Sequence, residues 1–169
     1  SAINVGGYPY PMTSEQWNGS TWATFTNMGT PRGKNAAAGN YTNAIVSCGA
    51  TPGTPGYGTL NRNESWDGSS WSEITDVSSI REAYAMTAGG TNTAVLVVGG
   101  QYSPGKLNVV EQWNGSSWSE KSEINTARAL MAGAGTVTAG LISGGQSTGD
   151  SSDTETWNGA SWTEVNELN

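Results

Sequence analysis

Four glutamates, Glu15, Glu64, Glu111 and Glu155, each stand two residues before a tryptophan. Three arginines, Arg32, Arg81 and Arg128, each stand fifteen residues after one. Carboxylates gathered in a cleft are the acid and base of glycoside hydrolysis. A carboxylate recurring with a guanidinium once per repeat is better read as a buried pair that fixes strand register, because losing one partner strands a charge. The eight tryptophans pose a similar choice. Aromatic faces stack on sugars, but rings at one fixed offset in every repeat are expected to pack one unit against the next, with their N–H groups bonded. Without a histidine, a Ser-His triad and any His-ligated metal are excluded. The single cysteine, Cys48, can form neither an internal disulfide nor a thiolate zinc cluster. Asp150, Asp153 and Glu155 match no calcium-loop spacing and read as solvated loop charge. Catalysis, metal and cofactor are therefore not expected.

The elements that position these residues are repeats. Trp17-Asn-Gly-Ser-Thr-Trp22, Trp66-Asp-Gly-Ser-Ser-Trp71, Trp113-Asn-Gly-Ser-Ser-Trp118 and Trp157-Asn-Gly-Ala-Ser-Trp162 use all eight tryptophans and recur at intervals of 49, 47 and 44 residues. Glycine pairs precede three of them, at Gly6-Gly7, Gly99-Gly100 and Gly144-Gly145, with Cys48-Gly49 at the remaining place. Internal similarity at this period predicts an array of sheets. Each unit reads as four strands. A small-residue strand follows the arginine (Ala83 to Ala88, Leu130 to Ala134), then an apolar strand ends in glycines (Thr93 to Gly100). A third strand carries Glu-x-Trp, and the fourth starts at the second tryptophan. Asn-Gly between the last two predicts a type I′ hairpin, with positive φ at both central residues. Among the glycosylation sequons, Asn18-Gly-Ser20 and Asn114-Gly-Ser116 are these turns, while Asn63-Glu-Ser65 is not. No helical periodicity is evident. The predicted class is all-β.

The glycine pair, the two aromatics and the following arginine resemble the kelch repeat of β-propellers, with tryptophan in place of the usual tyrosine and a shorter hairpin. The wording Glu-x-Trp-Asn-Gly-Ser-Ser-Trp-x-Glu followed by Asn125-Thr-Ala-Arg128 is similar to kelch-like arrays in bacteriophage structural proteins, notably of marine phage. The resemblance implies a propeller of four-stranded antiparallel blades, about four repeats of 44–49 residues. Two enzymatic propeller classes do not fit. The kelch-type copper oxidases need histidine ligands, and Ser65-Trp-Asp-Gly-Ser-Ser-Trp71 has the wrong Asp-Gly spacing for a sialidase box.

Residues 27–71, 72–118 and 119–162 each supply four strands on this reading, residues 1–26 form an incomplete blade of three, and 163–169 begin the next connection. An open array leaves apolar faces and edges exposed. The chain is thus expected as a four-bladed ring lacking a strand, as half of an eight-bladed ring made with a copy of itself, or as a segment of a longer array.

Length variation falls between the glycine pair and Glu-x-Trp, in 8–14, 50–63, 101–110 and 146–154. These segments hold Tyr8, Tyr10, Tyr57 and Tyr102, the candidate ligand-binding residues, amid proline, glycine and serine, a composition like that of antibody loops. A net charge of −7 leaves too few cations to neutralise a run of phosphates, so no nucleic acid is expected. No apolar run approaches the ~20 residues of a membrane span. The expected function is a non-enzymatic virion structural or appendage protein, a tail fibre or capsid-attached fibre, exposed on the virion surface. Its expected partners are other virion proteins or copies of itself, with host-surface glycan as a further contact. The alternatives are a secreted, lectin-like propeller with repeated glycan sites and a kelch scaffold for protein partners.

Overall fold

A computed structural model describes residues 2–7, 9, 11–52, 58–82, 85–88 and 91–168, with 85–88 described by their backbone. No helix occurs among the described residues. The first unit holds β1 (Ala2–Val5), β2 (Ser14–Trp17) and β3 (Trp22–Phe25). The second comprises β4 (Ala36–Asn40), β5 (Asn43–Ser47), a small hairpin of β6 (Ala50–Thr51) and β7 (Gly58–Thr59), β8 (Asn63–Trp66) and β9 (Trp71–Ile74). The third repeats that order with β10 (Ala85–Ala88), β11 (Val95–Val98), the hairpin β12 (Gln101–Tyr102) and β13 (Gly105–Lys106), β14 (Val110–Trp113) and β15 (Trp118–Lys121). The fourth has β16 (Ala132–Gly135), β17 (Gly140–Ser143), β18 (Thr154–Trp157) and β19 (Trp162–Val165). Every sheet is an antiparallel meander: β1-β2-β3, β4-β5-β8-β9, β10-β11-β14-β15 and β16-β17-β18-β19. The two small hairpins lie in segments expected only as variable connections.

Side-chain size sorts the strands. Val95 to Val98 are wholly buried, as a second strand with neighbours on both faces must be. The fourth strands place Glu73 and Glu120 in solvent, and charge on an outer strand discourages further pairing. Three apolar clusters fill the three gaps between consecutive sheets, and each holds one buried residue from the connection: Met28, Val77 or Ile124. The small-residue strands touch in series, β4 to β10 and β10 to β16. No substantial strand–strand contact joins the first sheet to the last among the described residues.

The tight hairpins differ from the type I′ expectation. Trp17 faces Trp22 and Asn18 N–H donates to Thr21 C=O, so the central residues are Gly19 and Ser20, and only the glycine has positive φ (109°). Asn18 instead occupies the first corner, where its Oδ1 accepts the N–H groups of Ser20 and Thr21 at 2.9 and 3.0 Å. Asp67, Asn114 and Asn158 repeat the arrangement. The side-chain oxygen takes the bond that a backbone carbonyl would otherwise accept, which is why Asn and Asp serve equally.

Candidate functional site

The repeated Glu and Arg meet, but not the pair nearest in sequence. Arg32 Nη2 lies 2.6 Å from Glu64 Oε1, Arg81 Nη2 2.5 Å from Glu111 Oε1, and Arg128 Nη2 2.9 Å from Glu155 Oε1. Each arginine thus ties the start of a unit to the third strand of the same unit. All six side chains are buried. Arg32 Nη1 also donates to the carbonyls of Cys48 and Arg62, and Arg81 Nη1 to those of Gly99 and Val109. The second oxygen of each glutamate accepts the N–H three residues before the arginine, from Gly29, Ser78 or Asn125, at 2.7–2.8 Å. Both oxygens of each of these carboxylates are engaged in charge-assisted bonds within the unit.

The arginine backbone performs a second task. Gly7, Gly49 and Gly100 each donate N–H to the carbonyl of the next unit's arginine, Arg32, Arg81 and Arg128, at 3.0–3.1 Å. A Cβ on Gly6 would come within 2.5 Å of the Arg32 carbonyl oxygen, so the backbones approach too closely for a side chain there. Cys48 fills the corresponding place with φ 53° and is wholly buried. Burial pushes its thiol up to about 11, against a smaller downward pull from the Ser47 hydroxyl.

The tryptophans are packed. Trp66, Trp113 and Trp157 are buried, and their Nε1 groups donate to the carbonyls of Tyr41, Asn92 and Val137, all in the loop between the first two strands of the same unit. Each leads a tilted pair with its hairpin partner, at centroid separations of 5.2–5.6 Å across the four units. Trp118 Nε1 donates to the Thr75 carbonyl just after the preceding sheet, and Phe25 packs against Trp66 across units with the rings tilted, centroids 4.6 Å apart. Trp71 and Trp162 also pack into the clusters between sheets. The first unit is the looser one. Trp17 is half-buried and Trp22 is 50% exposed.

One sequence expectation needs correction. Asp153 and Glu155 are not solvated loop charges: both face Arg128, Asp153 with an oxygen 3.2 Å from Nη1. That contact lacks hydrogen-bond alignment, so Glu155 holds the guanidinium more firmly. Asn63 of the Asn63-Glu-Ser65 sequon is buried and bonded to Ser47 Oγ, so the folded chain has no room for a glycan there. No group of three potential metal-binding side chains occurs among the described residues.

Of the candidate ligand residues, Tyr8, Tyr10 and Tyr57 lie outside the described residues. Tyr102 is 53% exposed on the β12–β13 hairpin. Beside that hairpin opens a shallow cleft of about 630 Å³, lined by Pro104, Lys106, Asn125, Thr126, Ser147 and Thr148 among others. It brings together two of the variable segments, 101–110 and 146–154, with the connection that precedes Arg128. Lys106 Nζ is held between Gln101 Oε1 (2.6 Å) and Gln146 Oε1 (3.3 Å), so the cationic head spans the two segments. Lys106, Ser147 and Thr148 were not singled out by sequence reasoning. Their one legible signal was membership of segments that vary between repeats. No protein-family model matches the chain, and no curated protein matches it.

Proposed function

We propose that the chain is a non-catalytic, kelch-like β-propeller module that serves as a structural or appendage component of a virion. It meets its partner, protein or host-surface glycan, through the variable connections. The observation that carries the non-catalytic part is the fate of the repeated polar groups. Three of the four glutamates and all three repeated arginines are buried against each other, and both oxygens of each of those glutamates are already bonded within the unit. The propeller reading is supported by four meander sheets in register, packed in series through a tryptophan-rich filling. The virion assignment draws on the wording of the repeat alone.

The cleft beside Tyr102 is the favoured contact surface. It offers an ammonium, an amide and three hydroxyls, with the exposed Tyr102 on the hairpin beside it, which suits a hydroxyl-rich ligand. Because it arises from two unequal connections, it favours one site over equivalent pockets repeated in every unit. Glycan-array binding followed by calorimetry tests this. Tyr102→Ala and Lys106→Ala are expected to weaken binding at least tenfold with unchanged melting temperature. Binding that survives both changes, or glycosidase turnover by the wild-type chain, would overturn the reading.

A further inference from the structure

The first unit differs from the other three in one chemically specific way. In units two to four the third-strand glutamate accepts a guanidinium, and the backbone N–H three residues earlier, from one connecting segment. Glu15 occupies the same strand position, is half-buried, and pairs with no arginine or lysine among the described residues. Gly6 and Thr13 correspond to Cys48 and Arg62, whose carbonyls receive Arg32 Nη1 in unit two, and to Gly99 and Val109 in unit three. Among the described residues no small-residue strand pairs with the other edge of β1, which neighbours β2 alone. Trp17 lacks the indole bond that Trp66, Trp113 and Trp157 make to the loop ending that strand. One absent segment accounts for every one of these differences.

We propose that the β1 edge around Glu15 is a docking site for an additional arginine-bearing repeat segment. Its pattern is an apolar residue, three residues, an arginine and a strand of small residues. The guanidinium sits on the Glu15 carboxylate and the Gly6 and Thr13 carbonyls, and the small strand adds to β1 by antiparallel pairing. The three internal units specify the pattern: Met28 to Arg32, Val77 to Arg81 and Ile124 to Arg128 share it, with the apolar residue buried each time. A second copy of these 169 residues is a poor source, since its own three arginines are wholly buried in their ion pairs and could be lent only by opening a unit. The occupant is instead a further repeat segment. Leu168 N–H donates to the Ser152 carbonyl at 3.0 Å, as Ile124 N–H does to Asn108, yet Leu168 is 58% exposed where its counterparts are buried. This inference concerns how the array is completed and does not depend on the ligand-binding role proposed above.

The test uses the whole chain and a fluorescently labelled peptide of residues 121–135, which contains Ile124, Arg128 and the small strand. Anisotropy titration should show saturable binding. It should weaken at least tenfold when the peptide carries Arg128→Ala or the protein carries Glu15→Ala, while the Glu15→Ala chain melts at the wild-type temperature. Absence of saturable binding, or binding indifferent to both changes, would overturn the proposal. So would a Glu15→Ala chain that melts as low as Glu111→Ala, since Glu15 would then already have a partner. A dimer of the chain alone that dissociates on Glu15→Ala would assign the slot to a second copy and equally refute it.

Discussion

Replacing Trp113 with alanine separates a packing role from a ligand-stacking role. Trp113 is 4% exposed, sits among Ile45, Val77 and Val95 between the second and third sheets, and donates Nε1–H to the Asn92 carbonyl at 2.8 Å. Truncating a buried tryptophan to alanine costs about 3–5 kcal/mol, and the orphaned Asn92 carbonyl adds to the loss. Trp22, at the same hairpin position as Trp118 but half in solvent, rests mainly on Trp17. Its truncation should cost about 2 kcal/mol, in proportion to the smaller area it covers. A chain of this size loses roughly 2–4 °C of Tm per kcal/mol, so Trp113→Ala should melt about 5–10 °C below Trp22→Ala. Far-UV circular dichroism during urea and thermal unfolding is the suitable assay, because indole fluorescence would be altered by the substitutions themselves. Should Trp113→Ala fail to fold, Trp113→Phe keeps the ring and loses the N–H bond, and should fall between wild type and Trp22→Ala. Equal melting of the two alanine variants, or a Trp113→Ala chain as stable as wild type, would refute the packing argument.

Further outcomes follow from the same geometry. The Cys48 thiol, pushed up to about 11 mainly by burial, should resist alkylation at pH 8 in the native protein and react at once in denaturant; rapid native labelling would contradict the burial. The Asp67 carboxyl is lowered to about 2 by the backbone N–H groups of Ser70 and Ser69, then by the Ser69 hydroxyl. Its folded value lies below the ordinary 3.8, so its contribution to stability is complete above about 4 and is lost as pH falls through about 2. A carboxyl NMR titration of Asp67 with a midpoint near 4 would count against the capped turn. Asp67→Asn should keep the turn capped, as asparagine does in the other three turns, but lower Tm slightly at neutral pH and lose this part of the acid dependence.

Much of this framework is legible in the sequence because its determinants are local. Asn-Gly or Asp-Gly between tryptophans marks the hairpin, and runs such as Val95-Leu-Val-Val98 mark a strand buried on both faces. The three-stranded first unit is visible for the same reason. What escapes local reading is set by register across strands. Arg32 is closer in sequence to Glu15 than to Glu64, and only the meander of β4, β5 and β8 brings Glu64 to it. The turn type was misread because an Asx side chain substituting for a backbone carbonyl shifts the turn centre by one residue, and Asn-Gly suits both frames. The cleft was half legible. Variable segments pointed to its rim, but nothing in their composition indicated that 101–110 and 146–154 meet, or that Lys106 bridges Gln101 and Gln146. The small hairpins β6–β7 and β12–β13 were hidden by pairing lengths of two residues, too short for an alternating pattern.

The central claim is that the repeated carboxylates are structural and that the first of them is still waiting for its arginine. Urea unfolding of Glu15→Ala, Glu64→Ala, Glu111→Ala and Glu155→Ala side by side tests it most directly. Breaking a buried pair costs about 3–5 kcal/mol, whereas truncating a half-buried carboxylate that has no partner breaks no pair and should cost about 0.5 kcal/mol or less. The account predicts large losses at Glu64, Glu111 and Glu155 and a Glu15→Ala chain indistinguishable from wild type. Four equal losses, or none, would contradict it.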